Sequence, residues 1–214
     1  MQALWPYLHS YALCLLKPRQ MLDWLAHGIR PYGDEGELER PDLVSQVALS
    51  WAMALVQGFA RLLMANVLVQ LFLAYHNHND LFSFFIDVQD GLFPYYFLVL
   101  STALDLVFFP ILTLVQTQVW AFVLRLYARA LHLPGDEGDI AEQVTNVALS
   151  SHFFLLVPII GPVFQQLSWL YLLYVGCRHR LGASRSLSIV ILLTPTVVTL
   201  MLVSLVIFGV FCLT

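Results

Sequence analysis

The segment VALSSHFFLLVPIIGPVFQQLSWLYLLYVGCRHR, residues 147–180, decides how this chain folds. It is apolar almost throughout, carries no Asp, Glu or Lys, and is interrupted at Pro158-Ile159-Ile160-Gly161-Pro162. Each proline removes a backbone donor and crowds the preceding turn, so this cluster breaks a helix. The segment predicts two short apolar helices joined by a tight reversal. Its cationic end, Arg178-His179-Arg180, marks the side to which the second helix returns.

Apolar blocks cover about 45–74, 92–124, 144–177 and 187–213. A helix needs about 20 apolar residues to cross the hydrocarbon core. The second and third blocks each exceed 30 residues, about 50 Å as straight helices, which is long for one simple crossing. Charge arbitrates. Lys17, Arg19, Arg30 and Arg40 precede the first block; Arg125 and Arg129 end the second; Arg178, Arg180 and Arg185 lie between the third and fourth. The loop 75–91 and the C-terminal tail hold no Lys or Arg. If the second block crosses once and the third twice, all these cations fall on one side, as the positive-inside rule requires. The expectation is a bundle of about five transmembrane helices, near 47–73, 93–124, 143–158, 162–178 and 187–212. Its N-terminus is cytoplasmic and its C-terminus outside. Pro110 and Pro195 fall within spans and are expected to kink them.

Composition agrees. Of 214 residues, 59% are hydrophobic and 11% charged, against about 25% charged in a soluble domain. So little charge cannot clothe a water-soluble surface, and the lipid bilayer is the first partner implied. The net charge of −4 and the lack of a basic stripe argue against nucleic acid. Cys14, Cys177 and Cys212 lie far apart, without metal-ligand spacing or a disulfide framework.

Residues 1–44 form a cytoplasmic or interfacial segment ahead of the transmembrane domain, 45–214. Nothing positive precedes the apolar stretch 2–16, so a cleavable signal is not expected. Leu4, Leu8, Tyr11 and Leu15 recur at helical spacing, and Trp5 and Tyr7 suit the headgroup level, which predicts an interfacial helix. Pro18 ends it, a second amphipathic piece spans 21–29, and a charged, acid-rich linker follows at 32–42.

Ionisable residues inside spans are costly and are functional candidates by default. Arg61 and Asp105 each lie about 12 residues from the outer end of their span, about 18 Å deep, and are placed to pair. A structural pair fixing helix register is favoured over a proton path, because one acid does not make a relay. Gln57, Asn66 and Gln70 share the first span and are expected to face other helices as interhelical glue. Thr113, Gln116, Gln118, Gln165 and Gln166 are their counterparts. The sharper reading is a polar cavity for a solute or lipid headgroup.

His152 is expected to be a hydrogen-bonded packing residue rather than a proton carrier. His76, His78 and Asp80 alternate as metal ligands do, and with Asp87 or Asp90 they are weak candidates for a zinc or copper site. A solvated loop is the better reading, with the aromatic stretch 81–86 lying in the outer interface. No metal or other cofactor is expected.

No Gly-rich phosphate loop, HExxH or GxSxG occurs. Pairing Ser150 or Ser151 with His152 is geometrically poor, because adjacent helical residues point to different sides. The expectation is a non-enzymatic membrane protein that organises or binds other membrane proteins, lipids or a second copy of itself. The alternative is a small transporter or channel subunit with a polar site around Asp105 and Arg61.

The order of parts from Ala148 to Pro195 resembles the signature region of the Yip family (Ypt-interacting proteins). A polar-apolar helix ends at Pro158, and Ile160-Gly161 follows. The aromatic run Trp169-Leu170-Tyr171-Leu172-Leu173-Tyr174 closes in Gly176 and Arg178-His179, and Gly182-Ala183-Ser184-Arg185-Ser186 opens a last span holding Pro195. The segment Leu15 to Leu22 is similar to the one preceding the first span in bacterial members. The resemblance implies a five-span domain with a cytoplasmic N-terminus. Eukaryotic members are linked to Rab-type GTPases and carry a long polar N-terminal region. About 45 residues precede the first span here, which points to a bacterial inner-membrane member rather than a GTPase binder.

Overall fold

The computed structural model describes residues 5–27, 43–76, 88–132 and 136–213. They form α1 (Trp5–Leu16), α2 (Pro18–His27), α3 (Leu43–His76), α4 (Val88–Ala130), α5 (Glu137–Leu149), α6 (Gly161–His179) and α7 (Arg185–Leu213). A 3-10 segment, Ser150–Leu156, continues α5. There is no strand among the described residues. Three stretches, Leu43–Leu71, Tyr96–Ala130 and Arg185–Leu205, are long and apolar enough to cross a membrane. Their outer faces carry Leu55, Val56, Phe59, Val107, Phe108, Ile111, Val197 and Leu200 in the open. A soluble monomer rarely leaves so large an apolar surface uncovered, whereas lipid tails solvate it. The fold is that of an all-helical membrane protein.

The sequence predicts two more spans from 143–178, and here the structure has a different character. α5, the 3-10 segment and α6 form a hairpin in which α5 and one face of α6 pack against the other helices, while the tip and the opposite face of α6 are open. Leu149, Trp169 and Leu173 are fully buried in it, whereas Val163, Phe164, Leu167 and Tyr171 lie open on the outer face of α6. Local chemistry starts and stops each arm. Asp136 caps α5 by accepting from the Gly138 N–H at 2.9 Å, and Glu137 and Asp139 in the first turn complement the helix dipole. Glu137 also pairs with Arg129 across the turn from α4. At Ser150 the helix tightens, and the Ser150 hydroxyl donates to the Val147 carbonyl at 2.7 Å. Such irregular backbone is tolerated at membrane depth where neighbouring helices bury it. Pro162 pre-sets the first turn of α6, and Arg178 and His179 suit its C-terminal dipole.

The reversal is closed by backbone bonds from Val157 N–H to Phe154 O and from Gly161 N–H to Val157 O, both 3.0 Å. Ile159 takes the left-handed conformation, φ 67, a position costing a β-branched residue about 1–3 kcal/mol. A Cβ on Gly161 would strike the Phe154 carbonyl. Further along, a Cβ on Gly176 would strike Val144, which marks the close approach of α5 and α6.

The helix break at Pro18 falls between α1 and α2. These two helices do not stand apart from 45–214. Cys14, Met21 and Leu22 enter the main core with Leu124, Val144 and Trp169. The Tyr11 hydroxyl donates to the Gln46 carbonyl at 3.1 Å, and His179 Nε2 lies 2.7 Å from Asp23 Oδ1. α4 and α7 continue through Pro110 and Pro195. The linker 32–42 and the aromatic stretch 81–86 lie outside the described residues.

Candidate functional site

α3 and α4 pack closely where Gly58 meets Leu106; a Cβ on Gly58 would lie 2.8 Å from a Leu106 δ-carbon. Trp51 Nε1 donates to the Leu106 carbonyl at 2.9 Å. One turn beyond Gly58 on α3, an Arg61 guanidinium nitrogen lies 3.7 Å from Asp105 Oδ2. That distance makes an ion pair without a direct hydrogen bond. The side chains are 42% and 71% exposed, so the pair sits on the outer surface of the bundle. Leu104 and Phe108 lie beside Asp105 on α4, and Met64 and Leu68 follow Arg61 on α3, all outward-facing.

The other polar residues of α3 divide. Gln57 is buried, and its amide nitrogen has no hydrogen-bond partner among the described residues. Asn66 and Gln70 are exposed, so no described helix of this chain covers them. Gly58 is the last buried residue of α3 among those described, so its outer half is flanked too sparsely to cover them. Thr113 is buried and accepts from the Thr117 hydroxyl through its carbonyl at 2.7 Å, whereas Gln118 and Gln166 are exposed.

His152 lies in the buried 3-10 segment. Its Nδ1 is 2.9 Å from the Leu149 carbonyl, which fixes Nδ1 as the protonated nitrogen. Phe109 and Trp169 meet the imidazole edge-on, with centroids 5.5 and 5.7 Å away. No hydrogen bond joins it to Ser150 or Ser151 among the described residues; Ser151 Oγ has no partner there at all. The arrangement packs His152 into an aromatic junction. The Cys14 thiol is pushed up to about 12 by burial, which keeps it from acting as a thiolate nucleophile.

The residues singled out by the order of parts in 148–195 serve the hairpin and its mouth. Pro158 is at the exposed tip, Gly161 and Gly176 sit at close contacts, Trp169 fills the core, and Pro195 lies inside α7. Arg178 is exposed at the other end of the hairpin. There it joins Arg19, Tyr174, Val175, His179 and Arg185 around a half-open cleft of about 440 Å³. Sequence reasoning placed these cations on one side of the membrane but had no signal that α2, α6 and α7 bring them together. Among the metal candidates, His78 and Asp80 lie outside the described residues and His76 ends α3. The chain matches no family model, and no curated protein or solved structure is significantly similar to it.

Proposed function

We propose that this chain is a non-enzymatic integral membrane protein that binds and organises other membrane components, with a cytoplasmic N-terminus and an outside C-terminus. The Arg61–Asp105 pair carries the reading. Two charges on the outward face of apolar helices are poorly solvated by lipid, and such residues normally face a protein interior or a cavity. A neighbouring membrane protein or a second copy of the chain would cover them and the exposed Asn66 and Gln70. The outward direction of Asp105 favours an interface over the small-transporter alternative, which needs that carboxylate on an interior path. Purification in mild detergent is expected to recover the chain as an oligomer or with a constant membrane partner. Recovery only as a lone monomer would count against the proposal.

Five crossings are part of the same proposal. The arm from Glu137 to Leu156 is about 33 Å long and α6 about 28 Å, each comparable to a hydrocarbon core of about 30 Å. In a Cys212→Ser background, which removes the native thiol near the outside C-terminus, an Ile160→Cys variant is therefore expected to react with a membrane-impermeant maleimide added outside. Protection from both faces would make the hairpin re-entrant, leaving three crossings and the same orientation of the termini. The order of parts from Ala148 to Pro195 supports placing the chain beside bacterial Yip-family proteins of the inner membrane, with the Pro158–Pro162 reversal as its central element.

A further inference from the structure

The cleft between α2, α6 and α7 gathers three arginines, and each is free of a salt bridge among the described residues. Arg19, Arg178 and Arg185 line it with His179, Tyr174 and Val175, and no carboxylate lines it among the described residues. The described acids nearby already have partners, one of which, His179, is itself part of the lining. Asp23 pairs with His179, and Glu137 pairs with Arg129. Asp23 and Asp139 also act on Arg180, whose guanidinium burial holds below its ordinary value. The positive end of a helix dipole favours acids in the first turn, yet α7 opens on Arg185 and its first turn has no acid. Its start therefore combines an arginine with the positive dipole end, an arrangement unfavourable by itself and relieved by an anion. The position narrows the choice of anion. α7 turns apolar from Leu187 onward, so Arg185 lies at the boundary of a membrane-crossing helix. Tyr174 has the amphipathic ring that suits headgroup depth.

We propose that this cleft binds the phosphate group of an anionic phospholipid headgroup on the cytoplasmic leaflet. Planar guanidinium groups offer phosphate paired donors, and the hydrophobic outer face of α7, with Ile189, Val190 and Leu193 exposed, continues from the cleft where acyl chains would run. The proposal deepens the membrane-organising function by naming a lipid class and rests on the membrane reading alone, not on the partner at Arg61–Asp105.

The test is native mass spectrometry of the full chain, delipidated in detergent and titrated separately with phosphatidylglycerol, phosphatidylcholine and inorganic phosphate. The parent is expected to retain phosphatidylglycerol in preference to phosphatidylcholine. The Arg178→Gln/Arg185→Gln variant is expected to bind phosphatidylglycerol about 30-fold more weakly, from about fivefold per arginine near a membrane surface. Both side chains are exposed, so the variant is expected to elute at the parent's position and to melt no lower without lipid. Equal retention of phosphatidylglycerol and phosphatidylcholine, or equal retention by variant and parent, overturns the proposal. Retention of inorganic phosphate without phosphatidylglycerol overturns the lipid source, making the cleft a site for a soluble anion. A chain that copurifies with a partner yet shows no arginine-dependent lipid retention fails here without touching the interface at Arg61–Asp105.

Discussion

A Gly161→Ala chain is expected to melt well below the parent and to lose much of its monodisperse population in detergent. Gly161 begins α6 at the hairpin tip, and the new methyl group would be driven into the Phe154 carbonyl. Overpacking a filled site costs about 1–3 kcal/mol. The upper end applies here because the obstacle is backbone, itself held by the bond from Val157 N–H to Phe154 O. By the scaling known for soluble proteins of similar size, about 3 kcal/mol lowers the midpoint by about 10 °C. Thermal melting followed by tryptophan emission suits the measurement, since Trp169 is fully buried within the same hairpin. Gly58→Ala is the control. Its methyl group would meet only the end of the Leu106 side chain, its δ- and γ-carbons, which can turn aside more readily than backbone, so a loss under about 1 kcal/mol is expected. Equal midpoints for the two variants would show that the reversal is not packed as described.

Asp105→Leu is expected to destabilise the chain by about 3 kcal/mol, and the added Arg61→Leu to restore much of that loss. Removing one partner leaves the other charge uncompensated, which costs about 3–5 kcal/mol when the pair is shielded from water. Replacing both removes the charge and leaves leucines that match the surrounding face. The double-mutant cycle therefore reports the environment of the pair. A coupling of several kcal/mol places Arg61 and Asp105 in hydrocarbon or beneath a partner, whereas exposed pairs in water couple by about 0–1 kcal/mol. The same double variant separates stability from assembly. If the pair is covered by another subunit or protein, the double variant folds but no longer copurifies with it. A coupling near zero, with assembly intact, removes the reason for proposing an interface there.

Much of the architecture follows from local composition. Long apolar runs almost without charge have no stable place in water, and helices satisfy their own backbone groups in lipid. That is why α3, α4 and α7 are legible from residue types alone. The reversal at Pro158–Pro162 is legible for a similar reason, since proline cannot continue a helix. Residue counting puts Arg61 and Asp105 at one level because the helical rise is constant, and their charges lie 3.7 Å apart.

Tertiary structure decided the rest. Apolarity states that a residue avoids water but not whether lipid or protein replaces it, so the sequence did not distinguish the buried α5 and the buried face of α6 from the exposed faces of α4, α6 and α7. It read an interfacial helix and a second amphipathic piece near the N-terminus but carried no sign that Cys14, Met21 and Leu22 enter the core. The direction of a polar side chain depends on which neighbour covers it, which is why Asn66 and Gln70 face outward and Gln57 does not. Convergence of Arg19, Arg178 and Arg185 is the strongest such case. Residues far apart in the chain share a cleft only because α2, α6 and α7 end at one place, and no local pattern encodes that meeting.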